Sequence, residues 1–120
     1  MYRLMIVDDS MIIRNKISRM PKQGGFTVVC KAENGAKAVE MCHKHKPDIV
    51  TMDLTMPEMD GLACIEELVK IKPDIQILVV SALSDKATGI KALELGANGF
   101  LNKPFTDEEL YSALKDLMEE

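Results

Sequence analysis

The sequence has no tryptophan, and aromatic residues make up only 4% of its 120 positions. Aliphatic side chains and nine methionines must therefore fill whatever core it builds. Cysteine is scarce and unpatterned. Cys30, Cys42 and Cys64 are odd in number and widely spaced, with no CxxC pair or Cys/His cluster, which argues against a disulfide framework or a zinc site. Long apolar runs are missing too. The strongest, Ile75 to Ala82 with Gln76 inside it, is far too short to cross a bilayer, so no membrane insertion is expected. Basic charge is not in excess: the formal net charge is −4, against the clustered Lys and Arg of a nucleic-acid surface. Met1-Tyr2-Arg3 passes directly into a strand-like run with no recognisable signal peptide, so the expected compartment is the cytoplasm.

What is present is an ordinary globular balance, 47% hydrophobic and 28% charged, in a length that suits one domain over residues 1–120. Strand-like and helix-like segments alternate. Leu4 to Val7 is a continuous apolar run, as in a strand buried on both faces, and it stops at Asp8-Asp9-Ser10. A helix capped by Asp9 or Ser10 is expected to turn Ile12, Ile13, Ile17 and Met20 inward, ending at Pro21 and Gly24-Gly25. Strands follow at Phe26 to Ala32, Ile49 to Asp53, Ile75 to Val80 and Gly99 to Asn102. The fourth is the most apolar and is expected to be central. Helices between them are expected to bury Ala38, Val39 and Cys42, then Leu62, Ile65, Leu68 and Val69. Another covers roughly Asp85 to Leu95, with Thr88-Gly89 in its interior reading either as close packing that needs no side chain or as a soft point. Thr106-Asp107-Glu108-Glu109 has the form of a capping box for a last helix running to Glu120. Five strands alternating with five helices predict an α/β fold, a doubly wound parallel sheet with helices on both faces.

In such sheets, ligands gather at the carboxyl ends of the strands. Asp8 and Asp9 end the first strand, Asp53 the third, Ser81 the fourth and Lys103 the fifth. Two carboxylates ~5 Å apart repel by roughly 3 kcal/mol at an effective dielectric of about 20. A divalent cation relieves that repulsion, and hard oxygen donors suit Mg²⁺. Lys103 adds a compact positive charge for an oxyanion, and Ser81 a hydroxyl donor. A carboxylate can attack a phosphoryl group and form an acyl phosphate. Asp53, alone at its strand end, is the expected nucleophile, with Asp8 and Asp9 better suited to metal. His43 and His45, beside Lys44 and Lys46, read as surface residues that complement a helix end. Met5, Met52, Met56 and Met59 read as packing.

Ile6-Val7-Asp8-Asp9-Ser10, the run Asp53 to Gly61, Ser81-Ala82 and the run Gly96 to Phe105 occur in an order and spacing that resemble the receiver domains of two-component response regulators, the CheY-like family. The resemblance implies a flavodoxin-like sheet of order 2-1-3-4-5, given for this fold family as a known example. It implies that Asp53 is phosphorylated by a sensor histidine kinase or a histidine phosphotransfer protein. It also implies Mg²⁺ held by Asp9, Asp53 and the backbone carbonyl of Thr55, with Asp8 acting mainly through water. Lys103 would pair with the phosphate, and the Lys103-Pro104 bond would be cis. Ser81 and Phe100 would form the switch pair. Ser81 moves toward the phosphate and Phe100 turns inward, which remodels the face of the fourth helix, fifth strand and fifth helix for an output protein or domain.

Three positions depart from the common CheY pattern: Thr55 stands for Asn, Ser81 for Thr and Phe100 for Tyr. Ser81 keeps the hydroxyl, whereas Phe100 must report by packing alone. Thr55 and Leu83 flank the expected phosphate and bear on its lifetime. The resemblance implies a signalling switch whose only chemistry is its own phosphorylation and dephosphorylation, as a monomer or phosphorylation-dependent dimer, working alone or within a longer regulator. A phosphohydrolase of haloacid-dehalogenase type is the alternative. Its second Asp would stand two residues after the nucleophile, where this sequence has Thr55. A flavin-binding domain is disfavoured by the absence of Trp and of a Thr/Ser-rich phosphate loop.

Overall fold

The computed structural model describes residues 1–19, 25–56, 59–82 and 85–118. The expectations placed on Met20, Pro21, Gly24, Pro57, Glu58, Leu83 and Glu120 lie outside the described residues. The elements run β1 (Tyr2–Val7), α1 (Met11–Arg19), β2 (Phe26–Ala32), α2 (Gly35–His45), β3 (Ile49–Met52), α3 (Gly61–Ile71), β4 (Gln76–Ser81), α4 (Lys86–Leu95), β5 (Gly99–Asn102) and α5 (Asp107–Met118). All strand pairs are parallel, and the order is β2-β1-β3-β4-β5. The doubly wound α/β fold and its strand order are those expected.

Alternation along each strand creates two cores. Met5, Val7, Val50, Met52, Ile77 and Val79 point to the side covered by α2, α3 and α4, where Ala38, Cys42, Cys64, Ile65, Leu68 and Ala92 meet them. Leu4, Ile6, Ile49, Leu78 and Val80 point to the side covered by α1 and α5, against Ile17, Phe105, Leu110 and Leu114. Both faces are dry, which explains why β1, β3 and β4 read as unbroken apolar runs. The middle strand is β3, so β4 is interior but not central as expected. Hydrophobicity does not rank strands that are all covered on both sides.

Helix ends follow local chemistry. Ser10 caps α1, its Oγ accepting from the Ile13 N–H at 3.3 Å. Asn34, Asp60 and Asp85 accept from the N–H three residues on, in Lys37, Ala63 and Thr88. The capping box is reciprocal: Thr106 N–H donates to Glu109 Oε1 at 2.9 Å, and Glu109 N–H to Thr106 Oγ1 at 3.0 Å.

One inward assignment fails. Ile12 is 77% exposed, whereas Ile17 is fully buried and Ile13 half-buried. At 100° per residue Ile13 shares the face of Ile17 one turn away, and Ile12 points well off it. Val39, Leu62 and Val69 pack at the core margin, and Cys64, which was not among the expected core residues, is fully buried. Met5 and Met52 are core, with Met56 and Met59 packed against it. His43 is exposed and His45 half-buried in the basic last turn of α2.

Candidate functional site

Parallel pairing carries the ends of β1, β3, β4 and β5 to one edge. Asp53 N–H donates to the Val7 carbonyl at 2.9 Å, continuing the sheet one residue past β3 and setting Asp53 beside Asp8. Lys103 N–H donates to the Ser81 carbonyl at 3.0 Å, doing the same for β5 and β4. Backbone bonds thus hold four of the expected residues along one rim.

Carboxylate oxygens of Asp8, Asp9 and Asp53 all lie within 4.8 Å of one another. Asp8 and Asp53 are buried and Asp9 is exposed. Lys103 Nζ stands 2.8 Å from Asp8 Oδ2 and 3.8 Å from Asp53 Oδ1. One ammonium against three carboxylates leaves the site short of positive charge. Burial, and then the neighbouring Asp8, push the Asp53 carboxyl up to about 6. The Thr55 N–H and the Lys103 charge oppose that rise, and Asp9 adds a little to it. Thr55 N–H donates to Asp53 Oδ1 at 3.2 Å.

Asp8 is tied down on every side. Its Oδ1 accepts from Ser10 N–H at 2.9 Å, and its carbonyl accepts from the Arg14 guanidinium at 2.6 Å. Its other oxygen faces Lys103. Ser81 is buried at the end of β4. The Lys103-Pro104 peptide is cis. Phe100 lies apart from the carboxylates, 41% exposed at the α4–β5 face.

Two contributors lay beyond the sequence reading. Arg14 secures the β1 end through a backbone carbonyl, a contact with no sequence signature. Gly61 opens α3 so close to the Asp53 turn that a Cβ there would sit 2.5 Å from the Asp53 carbonyl oxygen and 2.5 Å from Leu54 Cα. The Gly61 N–H donates to the Leu54 carbonyl at 3.2 Å. The Asp60-Gly61 pair is therefore both a cap and a close approach, and the glycine was the available hint.

The donor set fits a hard divalent cation, since it offers only carboxylate oxygens and too little positive charge. It also fits phosphoryl capture: a carboxylate nucleophile with an ammonium and a hydroxyl on the same rim.

Comparison with known proteins agrees. The family model for the response regulator receiver domain matches residues 4–115. The chain is 42% identical over 113 residues to the chemotaxis protein CheY of Bacillus subtilis, covering 94% of each. It is 43% identical over 112 residues to the CheY of Thermotoga maritima, covering 93% of each. Its fold is similar to a chain in the crystal structure of a CheX–CheY–BeF₃–Mg²⁺ complex from Borrelia burgdorferi, with a TM-score of 0.94 and 27% identity over 99% of this chain and 90% of that one. Sheet order, rim geometry and sequence agree that this chain belongs to the response-regulator receiver family, the phosphorelay switches of two-component signalling.

Proposed function

We propose that Asp53 is the phosphoacceptor of this receiver, taking the phosphoryl group from a histidine of a sensor kinase or phosphotransfer protein in a Mg²⁺-dependent reaction. A carboxylate oxygen of Asp53 forms the P–O bond as the P–N bond to the donor imidazole breaks, and the imidazole leaves with the electron pair. Lys103 holds the phosphoryl oxygens as charge moves onto them, and the buried Ser81 hydroxyl donates to one of them. Mg²⁺ would be held by Asp9, Asp53 and the Thr55 carbonyl, and it supplies the remaining neutralisation of the transferred oxygens. Asp8, which accepts from Ser10 N–H and pairs with Lys103, would act on the cation mainly through water. Hydrolysis of the acyl phosphate returns the switch to its starting state.

The reading rests above all on one observation, the convergence of Asp8, Asp9, Asp53 and Lys103 from three different strand ends. The Borrelia burgdorferi CheY of similar fold is found with BeF₃ and Mg²⁺, which supports the same pairing of site and cation here. We extend the reading to residues 1–120 as one receiver domain, working in the cytoplasm and controlling an output protein or domain through the α4–β5–α5 face. Ser81 and Phe100 form the relay to that face. No helix among the described residues is long and apolar enough to cross a membrane.

The test is incubation with acetyl phosphate, with and without Mg²⁺, followed by intact mass. Native protein should gain one phosphoryl group only with Mg²⁺, and Asp53→Asn should gain none. Equal labelling without the metal, or of the Asn variant, would refute the assignment.

A further inference from the structure

Lys103 follows β5, at the edge of the sheet, and Asp8 follows β1, with β3 and β4 lying between those two strands. Three strand spacings amount to ~14 Å of backbone separation. Yet Lys103 Nζ stands 2.8 Å from Asp8 Oδ2. Sheet pairing brings both residues to one rim, and the lysine stem crosses the gap. A flexible four-carbon stem does not by itself fix where its ammonium stops. The loop that carries Lys103 is held from outside the sheet as well.

That hold comes from α1. Lys16 Nζ donates to the Phe105 carbonyl at 2.5 Å and stands 4.6 Å from the centre of the Phe105 ring. A charge-assisted hydrogen bond and a cation–π contact thus fall on one residue. Phe105 is buried in the same core as Ile17 of α1. Only Pro104 separates it from Lys103, and a proline ring fixes φ, so the connection is stiff. Two residues before Lys16, Arg14 donates to the Asp8 carbonyl at 2.6 Å. One short helix therefore grips backbone on both sides of the Lys103–Asp8 ion pair. The needs of α1 do not explain where Lys16 points. A lysine in the last turn complements its own helix dipole. Here the ammonium instead reaches the carbonyl just before Thr106, the cap of α5, where that helix's dipole disfavours a cation.

We infer that Lys16 is a positioning residue for phosphoryl capture: by tying Phe105 to α1, it sets where the Lys103 ammonium stands against Asp8 and Asp53. The inference rests on Asp53 as phosphoacceptor with Lys103 holding the phosphoryl oxygens, and it adds the residue that aims Lys103. Lys16 touches none of the reacting atoms and acts only through the loop. Without its ammonium the loop keeps Phe105 in the core but loses the tie to α1, and Lys103 meets the transferred oxygens in a less defined place.

The test follows the rate of mass gain with acetyl phosphate and Mg²⁺, on variants shown to be folded by urea titration. Lys16→Met keeps the apolar stem and removes the charge and the donor; Lys16→Gln serves if the Met variant does not fold. The rate should fall at least ~5-fold, within the roughly 100-fold that an ångström of misplacement can cost. Lys16→Arg, which keeps charge and donor, should restore most of it. In a Lys103→Met background, Lys16→Met should slow the reaction no further, because the group it aims is gone. A second readout needs no turnover: the Lys103 amide in ¹H–¹⁵N spectra should move in Lys16→Met and return toward its native position in Lys16→Arg. A native rate in Lys16→Met overturns the inference and leaves Asp53 as acceptor. Equal slowing with and without Lys103 overturns it too, as does a Lys103 amide unmoved in Lys16→Met. Absence of any mass gain in native protein removes the parent reading and this inference with it.

Discussion

Helices α3 and α4 lie on the same side of the sheet, yet they are seated very differently. Gly61, Cys64, Ile65 and Leu68 of α3 are buried, and its first residue touches the Asp53 turn. Only Ala92 of α4 is buried, and Ile90 and Leu93 are about half exposed. The first helix is an anchor that fixes the Asp53 turn. The second is held by little apolar contact, and elements of that kind open at low free-energy cost. The proposed switch calls for both, a firmly held rim and a loosely held face.

The contrast is broken most forcefully by truncating each helix. Leu68→Ala should lose about 2–5 kcal/mol of stability in urea denaturation, as buried Leu-to-Ala changes do. Leu93→Ala should fall within about 0.5 kcal/mol of native protein. Equal losses would mean that α4 is as firmly seated as α3. Gly61→Ala should cost roughly 1–3 kcal/mol through overpacking, and phosphorylation should slow with it because the Asp53 turn must shift.

Amide exchange sharpens the same contrast without mutation. Protection should be highest in β1, β3 and β4, nearly as high in α3, and clearly lower in α4. An α4 as protected as the central strands would end the idea of a soft helix around Gly89.

The thiols offer a pH test of the anchored side. Burial, the first cause in each case, pushes Cys64 up to about 12, Cys30 up to about 11 and Cys42 upward as well. The ordinary value for such a thiol is 9.0, and the unfolded chain is taken to have it. Folding therefore favours the neutral thiols: their contribution is complete below about pH 9 and is lost as pH rises toward 11–12. Native protein at pH 8 should resist iodoacetamide at all three positions, and unfolded protein should react fully. Rapid alkylation of Cys64 in native protein would contradict its burial.

The smallest effect is expected at Thr51, fully buried in β3, whose hydroxyl has no hydrogen-bond partner among the described residues. Thr51→Val removes an unpaired polar group at nearly constant shape, so stability should stay level or rise slightly, by under about 0.5 kcal/mol. A marked loss would show that the hydroxyl is paired in solution.

Much of this was legible in the residues themselves. β2 and β5 fall where the alternation of apolar and punctuating residues placed them, and the capping box at Thr106 formed as written. Asp8, Asp53, Ser81 and Lys103 could be grouped because strand ends in a parallel sheet share an edge. The strand order came only with the resemblance, since spacing does not distinguish windings. Ile12 misled because it points about 140° round the helix from Ile17, off the face that Ile13 and Ile17 share. The seat of Gly61 against Asp53, and the pairing of Lys103 with Asp8, depend on distances across the chain that no local pattern encodes.

The most direct test locates the phosphoryl group. After treatment with acetyl phosphate and Mg²⁺, borohydride reduction converts an aspartyl phosphate to homoserine, which fragment mass spectra then place in the chain. The account predicts homoserine at position 53 and nowhere else. Modification at Asp8 or Asp9, or a stable phosphoryl group on His43 or His45, would contradict it.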